Sequence, residues 1–223
     1  MHAYDFSGQL EFTGRGADKV WRSDAVIYFE PDIDTDTDAD TTASVKDRVA
    51  PEDEGASPET AKVYSMAMAR KRFAPRVLPV PVGSSVALPN RDKIVHNAFS
   101  PSKPNNFDTG LYQRGDGKSV TFTDPGVVRV YCNVPYNMVG YVLVLDTPYY
   151  TQPDQSGKFE LRDLPVGPGT LTIWHERSKP LSIRVEGRIQ PQDFVMKVGK
   201  RRIPKHKNKF GSSYKKRKKY RRY

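Results

Sequence analysis

Apolar residues along this chain come in short runs, four to eight positions long, broken by Gly, Pro, Asn and Asp. GQLEFTG at residues 8–14 alternates strictly, placing Leu10 and Phe12 on one face of an extended segment. DAVIYFE at 24–30 is a compact apolar run. From 61 to 146 the runs are dense: KVYSMAM, RVLPVPV, SSVALPN, IVHNAFS, KSVTFT, VVRVYCN and GYVLVLD follow one another with turn residues between them. Four or five more lie in 147–198, where Phe159, Leu161, Leu171 and Ile173 alternate toward one face. Gly157 marks one tight hairpin turn there, and Leu164-Pro165 with Gly167 marks a second bend. With eighteen prolines and sixteen glycines against long helices, the pattern predicts an all-β protein. At 223 residues the chain is long enough for one large β domain or two smaller ones. No tandem repeat is visible.

Two stretches break the strand pattern. Residues 32–60 are acidic, poor in aromatics and rich in Thr, Ala and Pro, and read as a disordered loop or linker. Their alternating Asp residues (32, 34, 36, 38, 40) lack the Gly turn and closing Glu of a calcium loop, so solvation is the reading they support. Beyond Val198 the chain turns basic. Residues 197–223 hold 14 of the 36 Lys and Arg and no acid; 36 less 14 leaves 22 cations against 26 acids in the body. The formal net charge of +10 therefore belongs to the tail. Lys200, Arg201, Arg202, Lys205, Lys207, Lys209, Lys215, Lys216, Arg217, Lys218, Lys219, Arg221 and Arg222 form a polyanion-binding segment, interleaved with Phe210, Tyr214, Tyr220 and Tyr223. Nucleic acid, acidic polysaccharide, an anionic lipid surface and an acidic protein all remain open as its partner.

Candidate chemistry is sparse. Cys132 is the single cysteine, so no disulfide forms within the chain. Of four histidines, His96 and His175 lie within the β-patterned body. No Ser-His-Asp signature, phosphate loop, HExxH motif or carboxylate pair is present, and the expectation is a non-enzymatic protein. No apolar run approaches the roughly 20 residues that span a bilayer. The N-terminal residues carry no basic and apolar leader pattern.

His96, then Cys132 at a strand end, then Met138 six positions on, supply a nitrogen, a thiol and a thioether, the donor types of a type 1 copper centre. Equally, Cys132 at the end of an apolar strand, Met138 before Val139 and His96 in a loop all have ordinary packing roles. FAPRVLPVPVGSSVALPNRDKIVHNAFS, FDTGLY and PGVVRVYCNVPYNMVGYVLVLDTPYY, in that order and spacing, resemble plastocyanin-like cupredoxins, in particular the methylamine-utilisation-protein-like subgroup. The resemblance implies a cupredoxin-like Greek-key sandwich over 61–146, copper held by His96, Cys132 and Met138, and Asn97 and Tyr136 supporting those ligands. It also implies a periplasmic or cell-envelope location, whereas the absence of a visible leader leaves the cytoplasm open. The sequence departs from the family at one position. Where the loop after the Cys supplies a second His, this chain has Pro135, which carries no donor atom.

DQSGKFELRDLPVGPGTLTIWHE is similar to carboxypeptidase-regulatory-like or transthyretin-like sandwiches, and residues 8–31 fit the opening strands of that family. The organisation expected is a split domain (8–31 with 147–198), the acidic loop 32–60, a cupredoxin-like domain at 61–146 and a basic tail at 199–223. His175 and Glu176 are expected on a strand, facing opposite ways. The functional expectation is a structural or interaction protein with a degenerate copper site, its tail binding polyanions. The alternative is a copper carrier or electron-transfer protein using His96, Cys132 and Met138.

Overall fold

The computed structural model describes residues 3–32, 64–135 and 137–200; the acidic segment from 33 and the tail from 201 lie outside them. Two strands open the chain, β1 (Tyr4–Thr13) and β2 (Val26–Pro31), with short 3₁₀ turns at Ala17–Lys19 and Arg22–Asp24 between them. The middle of the chain gives β3 (Tyr64–Ser65), β4 (Ala67–Ala69), β5 (Arg72–Ala74), β6 (Val77–Pro81) and β7 (Ser85–Asn90). There follow β8 (Phe99–Ser100), β9 (Phe107–Asp108), β10 (Gly115–Thr121), β11 (Gly126–Tyr131) and β12 (Val139–Leu145). The last stretch gives β13 (Tyr150–Thr151), β14 (Lys158–Leu164), β15 (Gly169–Trp174), β16 (Leu181–Val185) and β17 (Gln192–Lys197). The fold is all-β, and no helix among the described residues is long and apolar enough to cross a membrane.

These strands make four sheets. One has the order β14-β1-β17 and a second β13-β2-β15-β16, so strands from the two ends of the chain share both. The middle of the chain supplies a sheet ordered β6-β12-β11-β8-β9 and another ordered β10-β7-β4-β5, with β3 beside β7. Three apolar cores lie between the four sheets. The first joins Phe6 and Leu10 of β1 to Ile27, Phe29, Leu171 and Ile173, and Phe159, Leu161 and Phe194 complete it. The alternation in GQLEFTG and in the 158–174 strands is the cause: each contributes every second residue to this core. The second core lies between the two middle sheets and holds Met66, Met68, Phe73, Leu88, Phe122, Val142 and Val144. The third fills the space between the two pairs of sheets, with Val26 and Trp174 from one side and Val77, Phe99, Tyr131, Tyr141 and Leu143 from the other.

The order of layers explains the most apolar run in the sequence. Every residue of β12 is buried. Val142 and Val144 point into the second core while Val139, Tyr141, Leu143 and Leu145 point into the third. A strand covered on both faces needs apolar side chains at every position rather than every other one. Gly140 belongs to the same constraint. A Cβ there would come within 2.9 Å of the Phe73 Cβ and 3.1 Å of the Met66 Sδ, so glycine lets the β4–β5 hairpin close on the sheet. Gly157 has φ +95° in the turn before β14, and its N–H donates to the Asp154 carbonyl at 3.0 Å.

Several expected strands are shorter or divided. IVHNAFS is extended as a strand only at Phe99–Ser100, and His96 instead makes an isolated bridge with Tyr112. KVYSMAM is divided at Met66 into β3 and β4. Strands β5 and β9, of three and two residues, have no counterpart among the expected runs because they are too short to show a period. His175 and Glu176 do not lie on a strand: β15 ends at Trp174, and both residues enter the turn that follows.

Candidate metal centre

Loops at one end of the two middle sheets bring the candidate residues together. Strand β11 ends at Tyr131, whose pairing with Phe99 of β8 lays residues 96–98 alongside 132–134. From the other side the His96 N–H donates to the Tyr112 carbonyl at 3.1 Å, and the Tyr112 N–H returns to the His96 carbonyl at 2.9 Å. His96, Asn97 and Cys132 are each fully buried, and Met138 is 2% exposed in the same core as Cys132. Tyr136 lies outside the described residues.

The His96 Nδ1 and the Cys132 Sγ are 3.5 Å apart. One further atom sits beside both. The carbonyl oxygen of Val134 is 2.6 Å from the His96 Nδ1 and 2.9 Å from the Cys132 Sγ. The Val134 N–H also donates to the sulfur, at 3.3 Å. Burial pushes the Cys132 thiol up, against smaller opposing effects of hydrogen bonds from the Asn97 and Val134 backbone. The sulfur is therefore a neutral thiol near pH 7, and its S–H donates to the Val134 oxygen.

Two more residues fix this arrangement. Asn97 Oδ1 accepts the Asn133 N–H at 2.9 Å, with the Cys132 Sγ 3.7 Å away, so one amide ties the histidine loop to the cysteine loop. The outer ring nitrogen of His96, Nε2, meets the Asp92 carboxylate at 2.9 Å. Asp92 also accepts the backbone N–H groups of Arg70 and Lys71 at 2.7 and 2.8 Å. Those two residues form the β4–β5 turn at φ +52° and +57°, a conformation that non-glycine residues resist. The carboxylate offsets part of that cost by holding both amides. These contacts, with His96, pull the Asp92 carboxyl below its ordinary range although burial pushes the other way.

Asp92 and the Val134 carbonyl were not among the residues the sequence singled out. Asp92 stands four positions before His96, a spacing that fits a carboxylate on an imidazole, but nothing in a loop of unknown shape makes that spacing decisive. A backbone carbonyl carries no signal in sequence at all.

The donors present do not fit a trigonal blue-copper centre. That centre needs a thiolate, two imidazoles and a weak axial thioether. Here Pro135 supplies no donor, and the Val134 oxygen lies against the two groups a metal would use. His175 does not replace the missing imidazole. It is 2% exposed, its ring centre lies 4.9 Å from that of Phe12, and its Nδ1 accepts the Arg177 N–H at 3.2 Å. Burial lowers it to about 4, so it stays neutral in the folded protein. Its neighbour Glu176 faces elsewhere. One carboxylate oxygen pairs with Arg76 at 2.5 Å and the other accepts the Tyr141 hydroxyl at 3.0 Å. Of the tail residues, Lys200 is exposed and those from Arg201 onward lie outside the described residues.

No family model matches the sequence, and no curated protein matches it. Among solved structures the chain is similar to a copper(I) form of an amicyanin variant, at 23% identity and TM-score 0.36, over 39% of this chain and 87% of that one. It is similar to a purple cupredoxin from Nitrosopumilus maritimus, at 24% identity and TM-score 0.34, over 37% of this chain and 99% of that one. A copper-containing nitrite reductase from Thermus scotoductus matches at 28% identity and TM-score 0.38, over 42% of this chain and 24% of that one.

Proposed function

We propose that this chain is a non-enzymatic, cupredoxin-like protein whose copper site is degenerate and closed from within. It serves as a structural or interaction module, and its cationic C-terminal segment binds polyanions. One observation carries the first half of this reading: the Val134 carbonyl oxygen, 2.6 Å from one would-be ligand and 2.9 Å from the other. A metal ligand must be deprotonated before it binds. Here one carbonyl oxygen lies within hydrogen-bond distance of both the imidazole nitrogen and the sulfur, and it belongs to the same loop that lacks a second imidazole. The His96–Cys132 pair then acts as a polar latch, and Asn97 and Asp92 extend it to the neighbouring loops.

The copper-carrier reading has one favourable feature, the approach of the His96 Nδ1 to the Cys132 Sγ at 3.5 Å in the same buried region as Met138. Titration of the full chain with copper(II) separates the two. The latch predicts no stoichiometric thiolate-to-copper charge-transfer band in the visible. A saturating one-to-one band would establish the copper reading in its place.

A further inference from the structure

Four of the eight large apolar side chains exposed among the described residues belong to the loops that close over His96 and Cys132. They are Ile94, Val95, Leu111 and Val134, each between 39% and 59% exposed. The His96–Tyr112 bridge explains two of them. It turns His96 and Tyr112 toward the core, so their neighbours Val95 and Leu111 face outward. The Asn90 side-chain amide donates to the carbonyls of Ile94 and Tyr112 at 2.9 and 3.3 Å and so holds those two loops together. Val134 joins from the cysteine loop. Its carbonyl turns in to the His96 Nδ1 at 2.6 Å, while its side chain stays 42% exposed. Single exposed aliphatics are ordinary on a surface, but several gathered on adjoining loops mark a contact site.

Cations border this patch. Arg70 and Lys71 form the β4–β5 turn, and Asp92 holds their amides beside His96. Lys93 directly precedes Ile94, and Arg114 follows Tyr112 by two positions. All four are exposed, and among the described residues none has a carboxylate within ion-pair distance. The acids of the same loops are engaged elsewhere. Asp92 accepts the two amides and meets His96, Asp116 pairs with Arg91 at 3.1 Å, and Asp108 accepts the Gly110 N–H at 3.0 Å. The buried polar groups behind the patch, His96 and Asn97, also find their partners within the fold. What this pole offers outward is chiefly apolar contact and positive charge.

We infer that this pole docks on an anionic lipid bilayer, with the aliphatic side chains of the loops entering the interface and the bordering cations staying at the headgroups. Apolar burial and attraction to anionic lipid are the two forces that hold a protein on a membrane surface without spanning it. Neither needs a matching pattern of hydrogen bonds in the partner. A second copy of the chain is disfavoured. A two-fold contact lays the patch on itself and sets Arg70, Lys71, Lys93 and Arg114 against their own copies. Nucleic acid or a sulfated polysaccharide answers the cations but leaves the aliphatic side chains in water. The inference concerns the folded body and stands apart from the polyanion reading of the C-terminal segment.

The test places a probe in the patch. Cys132 is fully buried, so the full chain carrying Leu111→Cys takes up an environment-sensitive nitrobenzoxadiazole label at that one position. Its emission is expected to brighten and shift to the blue on vesicles containing phosphatidylserine, and to stay unchanged on phosphatidylcholine vesicles or with heparin. The unlabelled variant Ile94→Ser/Leu111→Ser is expected to partition about tenfold more weakly onto the phosphatidylserine vesicles, with heparin affinity unchanged. The variant Lys71→Gln/Lys93→Gln/Arg114→Gln is expected to lose about fivefold for each cation removed. A probe that stays in water while the chain sediments with the vesicles would overturn the inference and leave the C-terminal reading standing. Absent heparin binding beside a shifted probe would overturn the C-terminal reading instead. Undiminished partitioning of the serine variant, an equal probe shift on phosphatidylcholine alone, or a dimer of the unaltered chain that the serine variant dissociates in sedimentation equilibrium, would each overturn the assignment to anionic lipid.

Discussion

At the level of single residues, the latch makes chemical predictions about its two ends. Cys132 is fully buried and its thiol is pushed up by that burial. Thiolate, not thiol, reacts with alkylating agents. Native protein at pH 7 is therefore expected to resist iodoacetamide, with labelling paced by unfolding; fast stoichiometric labelling of folded protein contradicts the buried thiol. At the other end, Asp92→Ala removes the acceptor for the Arg70 and Lys71 amides and the partner of His96 Nε2. Stranding such groups costs about 1–3 kcal/mol. The expected result is a lower denaturant midpoint at an unchanged slope, with Asp92→Asn retaining part of the loss. His175 predicts a pH dependence. Its folded value, lowered to about 4 by burial, lies below the ordinary 6.5. The unfolded chain therefore binds a proton that the folded chain does not between those values, and stability present above pH 6.5 falls as the pH drops toward 4. The loss is on the order of 3 kcal/mol. His175→Leu is expected to flatten that slope in denaturant titrations at stepped pH, and an unchanged slope would contradict the assignment.

Individual elements differ in how much the sequence reveals of them. GYVLVLD reads as a buried strand because both of its faces are covered, and GQLEFTG reads as a half-buried one because only Leu10 and its alternates meet the core. The convergence of His96 and Cys132 has no such periodic basis. It depends on the single pairing of Phe99 with Tyr131 and on the His96–Tyr112 bridge, neither of which leaves a period. Only the resemblance to cupredoxins placed those two residues together in the sequence. Strands β5 and β9 escape notice for a related reason: a two- or three-residue strand is fixed by its partner rather than by its own pattern. TIWHE reads as a strand to its end because Ile173 and Trp174 extend the apolar pattern up to His175, whereas β15 stops at Trp174. What ends β15 is the commitment of Glu176 to Arg76 and of Arg177 to the carbonyls of two other segments, at Arg15–Gly16 and at Gly199, both tertiary effects.

Across the whole molecule, the third core and a partly buried ion cluster join the two pairs of sheets. Arg76, at the start of β6, pairs with Glu176 at 2.5 Å and Asp24 at 3.2 Å, and its guanidinium carbon lies 5.5 Å from the Tyr141 ring centre. Burial pushes Glu176 up, but the Arg76 and Tyr141 contacts outweigh it and hold the carboxyl below its ordinary range. Trp174 and Tyr141 meet across the same boundary with ring centres 5.6 Å apart. A boundary this apolar couples the two halves, so a single cooperative unfolding transition is expected by calorimetry and by tryptophan fluorescence together. Trp174→Ala is expected to cost about 3–5 kcal/mol. Two separated transitions in the unaltered chain would contradict the coupling.

The closed latch is tested most directly by a crystal structure of the full chain grown with copper, with data collected on both sides of the copper absorption edge. The Val134 carbonyl oxygen is predicted within hydrogen-bond distance of both His96 Nδ1 and Cys132 Sγ, with no anomalous peak between them. An anomalous peak within bonding distance of that nitrogen and that sulfur, with the carbonyl turned away, would contradict the account.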